Sequence, residues 1–221
     1  MSARPLLIIG NKNYSSWSLR PWLLLRHHGV AFDEHRLLLD TPAFAREIGD
    51  WSPNRSVPAL RHGDLVVWDS IAICEYVNET FLDGAGWPRD AAARAVARSV
   101  AAEMHSGFRA LRTRMPMNAR RRVRGFAYAD DVRADIARVF AIWRDCRARF
   151  GATSGPFLFG AFSIADAMYA PVVLRFASYG VAIEPDLQPW VDALLALPAM
   201  QEWLRDGAAE SEVVAATEAV A

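Results

Sequence analysis

Hydrophobic positions along the chain follow two regimes. Up to about residue 81 short apolar runs alternate with helical stripes, and beyond it the spacing is helical throughout. Leu6 to Gly10 is an apolar run with two isoleucines, closed by the polar stretch Asn11, Lys12, Asn13, Tyr14, Ser15, Ser16, which predicts a buried strand meeting a loop. A helix follows, with Ser18 as its expected cap and Pro21 tolerated in its first turn. Trp22, Leu23, Leu24 and Leu25 form its buried stripe, and Gly29 stops it. Phe32 to Leu39 reads as a second strand, so strand, helix and strand make a βαβ unit with parallel strands. Thr41 and Pro42 open a short helix. After Trp51, the segment Ser52, Pro53, Asn54, Arg55, Ser56, Val57, Pro58 leads into a strand through Leu60. His62, Gly63 and Asp64 make a hairpin turn, and Leu65 to Trp68 returns. Asp69 and Ser70 then start a helix whose Ile71, Cys74, Val77 and Phe81 share one face.

The glycines and proline between Leu82 and Pro88 end the strand-like pattern. The expected organisation is a βαβ-ββα domain over 1–81, a linker over 82–89, an all-helical domain over 90–208 and a loose tail over 209–221. Within the helical half the pattern predicts one long helix from Asp90 to about Met115, a second from Asp130 to Phe150 and a third from Ser163 to about Tyr179. Leu187 to Leu204 carries one or two more, interrupted near Pro198.

Composition narrows the class. With 221 residues and 52% of them hydrophobic, the chain can bury a core and is not disordered. A formal net charge of +0 gives no reason to expect nucleic acid, and the run Arg120, Arg121, Arg122 lacks interleaved aromatics. Cys74 and Cys146 alone make no disulfide framework, so a reducing, cytoplasmic compartment is expected. The first apolar run ends at Asn11, too short for a signal peptide or a membrane span.

By residue type alone, the polar motifs have structural readings. Ser16 and Ser18 fit helix caps, Val57-Pro58 an ordinary strand start, and Asp69-Ser70 an N-cap pair. Their order changes the picture. Tyr14-Ser15-Ser16-Trp17-Ser18-Leu19-Arg20, Ser56-Val57-Pro58-Ala59-Leu60, Asp69-Ser70 and Ser163-Ile164-Ala165-Asp166 together resemble the cytosolic glutathione S-transferase superfamily. The likeness is to bacterial-type members whose serine-type active site is similar to that of the zeta class, and it extends over nearly the whole chain. It implies a fold of α/β plus all-α class: an N-terminal thioredoxin-like βαβ-ββα domain and a C-terminal helical bundle. It also implies glutathione as co-substrate, no metal, and a homodimer.

Glutathione's thiol is mostly protonated at neutral pH while its thiolate is the nucleophile, so a site must stabilise the anion. A serine hydroxyl can donate a hydrogen bond to sulfur, and the positive end of the following helix adds to it. The resemblance puts Ser15 on the catalytic position and Ser16 beside it, with Trp17 where the zeta run has cysteine; Tyr14 is the rival donor. It implies a cis bond before Pro58 that exposes the Val57 backbone for strand-like pairing with glutathione. Ser70 would meet the γ-glutamyl carboxylate and Asp69 the α-ammonium, while Ser56, Arg55 and Lys12 are weaker candidates for the glycyl carboxylate. Ser163 and Asp166 form a capping box, a folding element.

The second substrate is expected against the long helix, among Tyr14, Trp17, His105, Phe108, Arg112 and Met115. Arg112 and Arg120 would suit an electrophile with negative charge. The leading reading is a detoxifying transferase whose glutathione thiolate attacks a small hydrophobic electrophile. The alternatives are a maleylacetoacetate isomerase-like enzyme and a non-catalytic binding protein of the same fold.

Overall fold

The computed structural model describes residues 4–151 and 154–220. The first strand, β1 (Leu6–Ile9), is followed by α1 (Ser16–His27), β2 (Asp33–Arg36), α2 (Pro42–Trp51), β3 (Ala59–His62), β4 (Leu65–Val67) and α3 (Ser70–Phe81). The sheet order is β2-β1-β3-β4. β1 pairs parallel with β2 and antiparallel with β3, and β3 with β4 antiparallel, so the βαβ unit and the hairpin at His62 to Asp64 both form. β1 is buried and central because its Leu7, Ile8 and Ile9 have apolar neighbours on both faces, whereas β2 carries Asp33, Glu34, His35 and Arg36 and takes the edge.

The helical half contains α4 (Ala91–Ser106), α5 (Arg109–Arg114), α6 (Asp130–Cys146), α7 (Ile164–Tyr179), α8 (Gln188–Leu195), α9 (Pro198–Ala209) and α10 (Ala215–Glu218). The chain thus has the thioredoxin-like domain plus helical bundle, α7 being its centre. α7 is apolar nearly all round and buried along its length, packing on α1 and α4. Asp166 seats it: the carboxylate accepts from Ser163 N and Oγ, Leu158 N and Trp190 Nε1, all at 2.8 to 3.0 Å. Burial raises the Asp166 pKa despite these donors.

Three expectations differ from the structure. The single helix expected from Asp90 to Met115 breaks at Gly107 and Phe108, where Phe108 takes a left-handed φ of 54°, and the Leu111 N–H is satisfied by Asp135 of α6 at 2.9 Å. The helix from Asp130 gives way to a π-type turn over Arg147–Gly151. The segment beyond α9, expected to be loose, is tied to the first half. Glu210 accepts from the backbone of Lys12 at 2.7 Å and of Asn13 at 3.0 Å, and Arg36 binds both Glu210 and Glu212. α9 itself crosses the loop after β1 at Gly207, where a Cβ would stand 3.2 Å from Asn13 N and 3.3 Å from the Lys12 carbonyl carbon. No helix among the described residues is long and apolar enough to cross a membrane.

Candidate active site

A cleft of about 440 Å³ opens where the loop after β1, the turn before β3 and the start of α3 converge. It is lined by Tyr14 to Trp17, Leu39, Phe44, Asn54 to Pro58, Asp69, Ser70 and His105. The positive ends of α1 and α3 both lie at this cleft, which suits it to anionic groups. The Val57–Pro58 peptide is cis, as is Trp68–Asp69.

The serines divide their tasks. Ser15, not Ser18, is the N-cap of α1: its Oγ accepts from Ser18 N at 3.4 Å and donates to Ser18 Oγ at 2.7 Å, while Gly10 N also donates to Ser18 Oγ. Ser16 Oγ accepts from Arg175 Nη2 at 3.1 Å. Ser70 Oγ accepts from Arg20 Nη1 at 3.5 Å. Asp69 caps α3 through Ile71 N at 3.1 Å, and its other oxygen lies 3.0 Å from His105 Nε2. Tyr14 has its hydroxyl engaged away from the serines, donating to Glu218 at 2.6 Å and accepting from Arg120 at 3.0 Å.

Of the expected residues, Ser15, Ser16, Ser56, Val57, Pro58, Asp69 and Ser70 meet at one cleft, together with Tyr14, Trp17 and His105. His105 packs edge-on against Trp17 at 5.3 Å. Lys12 does not join them. Its ammonium is buried on the far side of the loop, 2.6 Å from Asp206 and 3.1 Å from Glu34, and over the Trp22 ring, so its charge is spent on holding α9. Phe108 and Met115 are packed in the core rather than in the cleft wall. Arg112 stands 5.3 Å from the Trp17 ring centre and binds the His105 carbonyl. Arg120 turns to the carbonyls of Glu210 and Glu212 and to Tyr14, which removes it from an anion site.

Sequence reasoning missed Leu39, Phe44 and Asn54 in the wall, and Arg20 and Arg175 behind it. Asn54 was within reach as the turn residue between Pro53 and Arg55; its side chain accepts from Ser52 Oγ at 2.7 Å and Ser56 N at 3.1 Å. Arg175 sits in an otherwise apolar helix, a signal that a pattern reader can use. Both cysteines are free and buried, and burial pushes the thiols up, Cys146 to about 12, so neither competes as a nucleophile at neutral pH.

Comparison with known proteins gives a family match in both halves: "Glutathione S-transferase, N-terminal domain" over residues 14–80 and "Glutathione S-transferase, C-terminal domain" over residues 91–206. The chain is similar to Protein IN2-1 of Zea mays, 26% identical over 159 residues that make 68% of this chain and 60% of that protein. It is also similar to dichloromethane dehalogenase of Methylorubrum extorquens, 44% identical over 59 residues, 26% of this chain and 20% of that one. The matched stretches therefore span less than two thirds of either relative. In three dimensions the chain resembles a glutathione transferase homolog from Burkholderia GL BGR1 crystallised with bound glutathione. The TM-score is 0.71 at 21% identity, covering 94% of this chain and 100% of that one, a likeness of fold.

Proposed function

The chain belongs to the glutathione S-transferase family, and from that membership we propose that it is a serine-type transferase that activates glutathione for attack on a small hydrophobic electrophile. The observation that carries the reading is the convergence of Ser15, Ser16, Val57, Pro58, Asp69 and Ser70 on one cleft at two helix N-termini. Each has a task in it. Ser15 and Ser16, at the positive end of α1, receive the sulfur. The Val57 backbone pairs with the cysteinyl unit as an added strand. Ser70 and the first turn of α3 take the γ-glutamyl carboxylate, and Asp69 takes the α-ammonium. Residues 1–81 then serve glutathione, while the electrophile lies between Tyr14, Trp17 and His105 at the border with 90–208.

The reaction needs only proton and bond bookkeeping. The thiol loses its proton to water, the thiolate attacks an electrophilic carbon, and the leaving group departs with the electron pair. Deprotonation is eased when helix ends and nearby cations stabilise the anion. The family likeness further supports a cytoplasmic homodimer, for which Leu65 and Trp68, exposed on and beside β4, are apolar surface to cover. The test is retention on immobilised glutathione together with thiol-conjugation assays on a panel of electrophiles. Retention and turnover are expected. A protein that neither binds glutathione nor consumes thiol with any electrophile overturns the reading.

A further inference from the structure

Behind the cleft wall lie three arginines, Arg20 of α1, Arg112 of α5 and Arg175 of α7. Arg20 and Arg175 are only 1% and 4% exposed. None of the hydrogen bonds described for the three goes to a carboxylate. Arg20 donates to Ser70 Oγ, Arg112 to the His105 carbonyl, and Arg175 to the Met115 carbonyl at 2.8 Å and to Ser16 Oγ at 3.1 Å. Arg20 Nε and Arg175 Nη1 are buried without a partner. Asp69 offsets part of the charge on Arg20 and Asp135 part of that on Arg112, without hydrogen-bonding either, whereas no carboxylate among the described residues does so for Arg175. Burying a cation without counter-charge is costly, so the cluster favours an anion in front of it. Burial and mutual repulsion lower Arg20 to about 9 and Arg175 to about 10, which still leaves both charged at neutral pH.

The geometry at Ser16 says what this charge does. A serine hydroxyl has one hydrogen and two lone pairs. In Ser15 the hydrogen is committed to Ser18 Oγ, 2.7 Å away. In Ser16 a lone pair is occupied by the Arg175 guanidinium, so the hydrogen is left to point elsewhere, and Ser16 lines the cleft. A hydroxyl accepting from a cation is also a stronger donor, because the bond polarises it. Ser70, accepting from Arg20, repeats the device at the other helix end.

Resting on the transferase reading above, we propose that Arg175, reaching from the helical half into the glutathione half, is a positioning residue that holds Ser16 as the hydrogen-bond donor to the glutathione thiolate. Both serines line the cleft that receives the sulfur, but with the Ser15 hydrogen committed to Ser18 it is Ser16 that donates to it, and Arg175 acts through Ser16. The proton lost on activation goes to water, and the Ser16 O–H, held and polarised by the guanidinium behind it, stabilises the sulfur anion left in the cleft.

The decisive measurement is the pKa of bound glutathione, read from the ultraviolet absorbance of its thiolate, in wild type, Ser16→Ala, Arg175→Met and the double variant. Each single variant is expected to raise that pKa by about one unit, a tenfold smaller thiolate fraction below it. The double variant should do no more than Ser16→Ala alone. In steady state, kcat with a common electrophile falls about tenfold while KM for glutathione changes by less than about threefold. If Arg175→Met does not fold, Arg175→Lys takes its place, with a smaller rise expected in the Ser16 background and none on Ser16→Ala. An unchanged thiol pKa in the arginine variant, or an equal further rise on top of Ser16→Ala, overturns the proposal while the transferase reading stands. Wild type that binds no glutathione removes both.

Discussion

Ser15 and Ser16 are neighbours of the same type, and their partners separate them. Ser15 is bound into the cap of α1 with Ser18, whereas Ser16 is backed by a guanidinium from another helix. Ser15→Ala should therefore cost about 1 kcal/mol of stability through the lost cap, seen as a lower urea midpoint, whatever it does to turnover. The residue types at the cleft were legible in the sequence because hydroxyls, a Val-Pro step and an Asp-Ser helix start occur in a recognisable order. What was not legible is which partner each side chain finds. Lys12, read as a candidate for a carboxylate of glutathione, is claimed by Asp206 and Glu34, and Arg120 by carbonyls near the C-terminus. Such pairings join residues far apart in the chain, and no local pattern encodes them.

Elements were legible where local chemistry decides them. Turn residues at His62 to Asp64 set the hairpin, and the Ser163 and Asp166 box starts α7. The break between α4 and α5 was hidden, because helical spacing runs on through it and the donor at its new start is met by Asp135 of a different helix. The C-terminal end of α1 has its own consequence for pH. His27 packs its ring on Phe162 at 4.2 Å while its edge stays exposed, and this partial desolvation, with His28 beside it, lowers its pKa from 6.5 to about 4; desolvation lowers that of the half-buried His28 too. The folded state thus resists protons that the unfolded chain accepts. Stability from this end is complete above pH 6.5 and is lost as pH falls towards about 4. Urea unfolding at a series of pH values should show the decline, and His27→Gln should make it shallower; an unaltered slope would assign the acid sensitivity elsewhere.

On the scale of the molecule, the loop after β1 is seated by the C-terminal half. Asn13 exchanges hydrogen bonds with Asn118, Ala119 and Arg120, its N–H and that of Lys12 go to Glu210, and Tyr14 reaches Glu218. Removing residues 210–221 should leave a folded protein, since the core lies elsewhere, but with the loop less well held. The expected result is a several-fold higher KM for glutathione and faster amide exchange over residues 11–16. Unchanged exchange there would show that α9 alone suffices.

Gly207 carries that seating into the chain's history. Helix and loop meet backbone to backbone at this point, so even a methyl group would push the loop by a few tenths of an ångström, and a larger side chain by more. The halves are consequently not free cassettes. A chimera that joins residues 1–81 of this chain to the helical half of a relative with a bulkier residue in place of Gly207 would inherit every serine of the cleft and misplace the loop that presents them. Exchange of substrate specificity by swapping helical halves is open only to relatives that keep the same gap, or that have reshaped the loop in step with it.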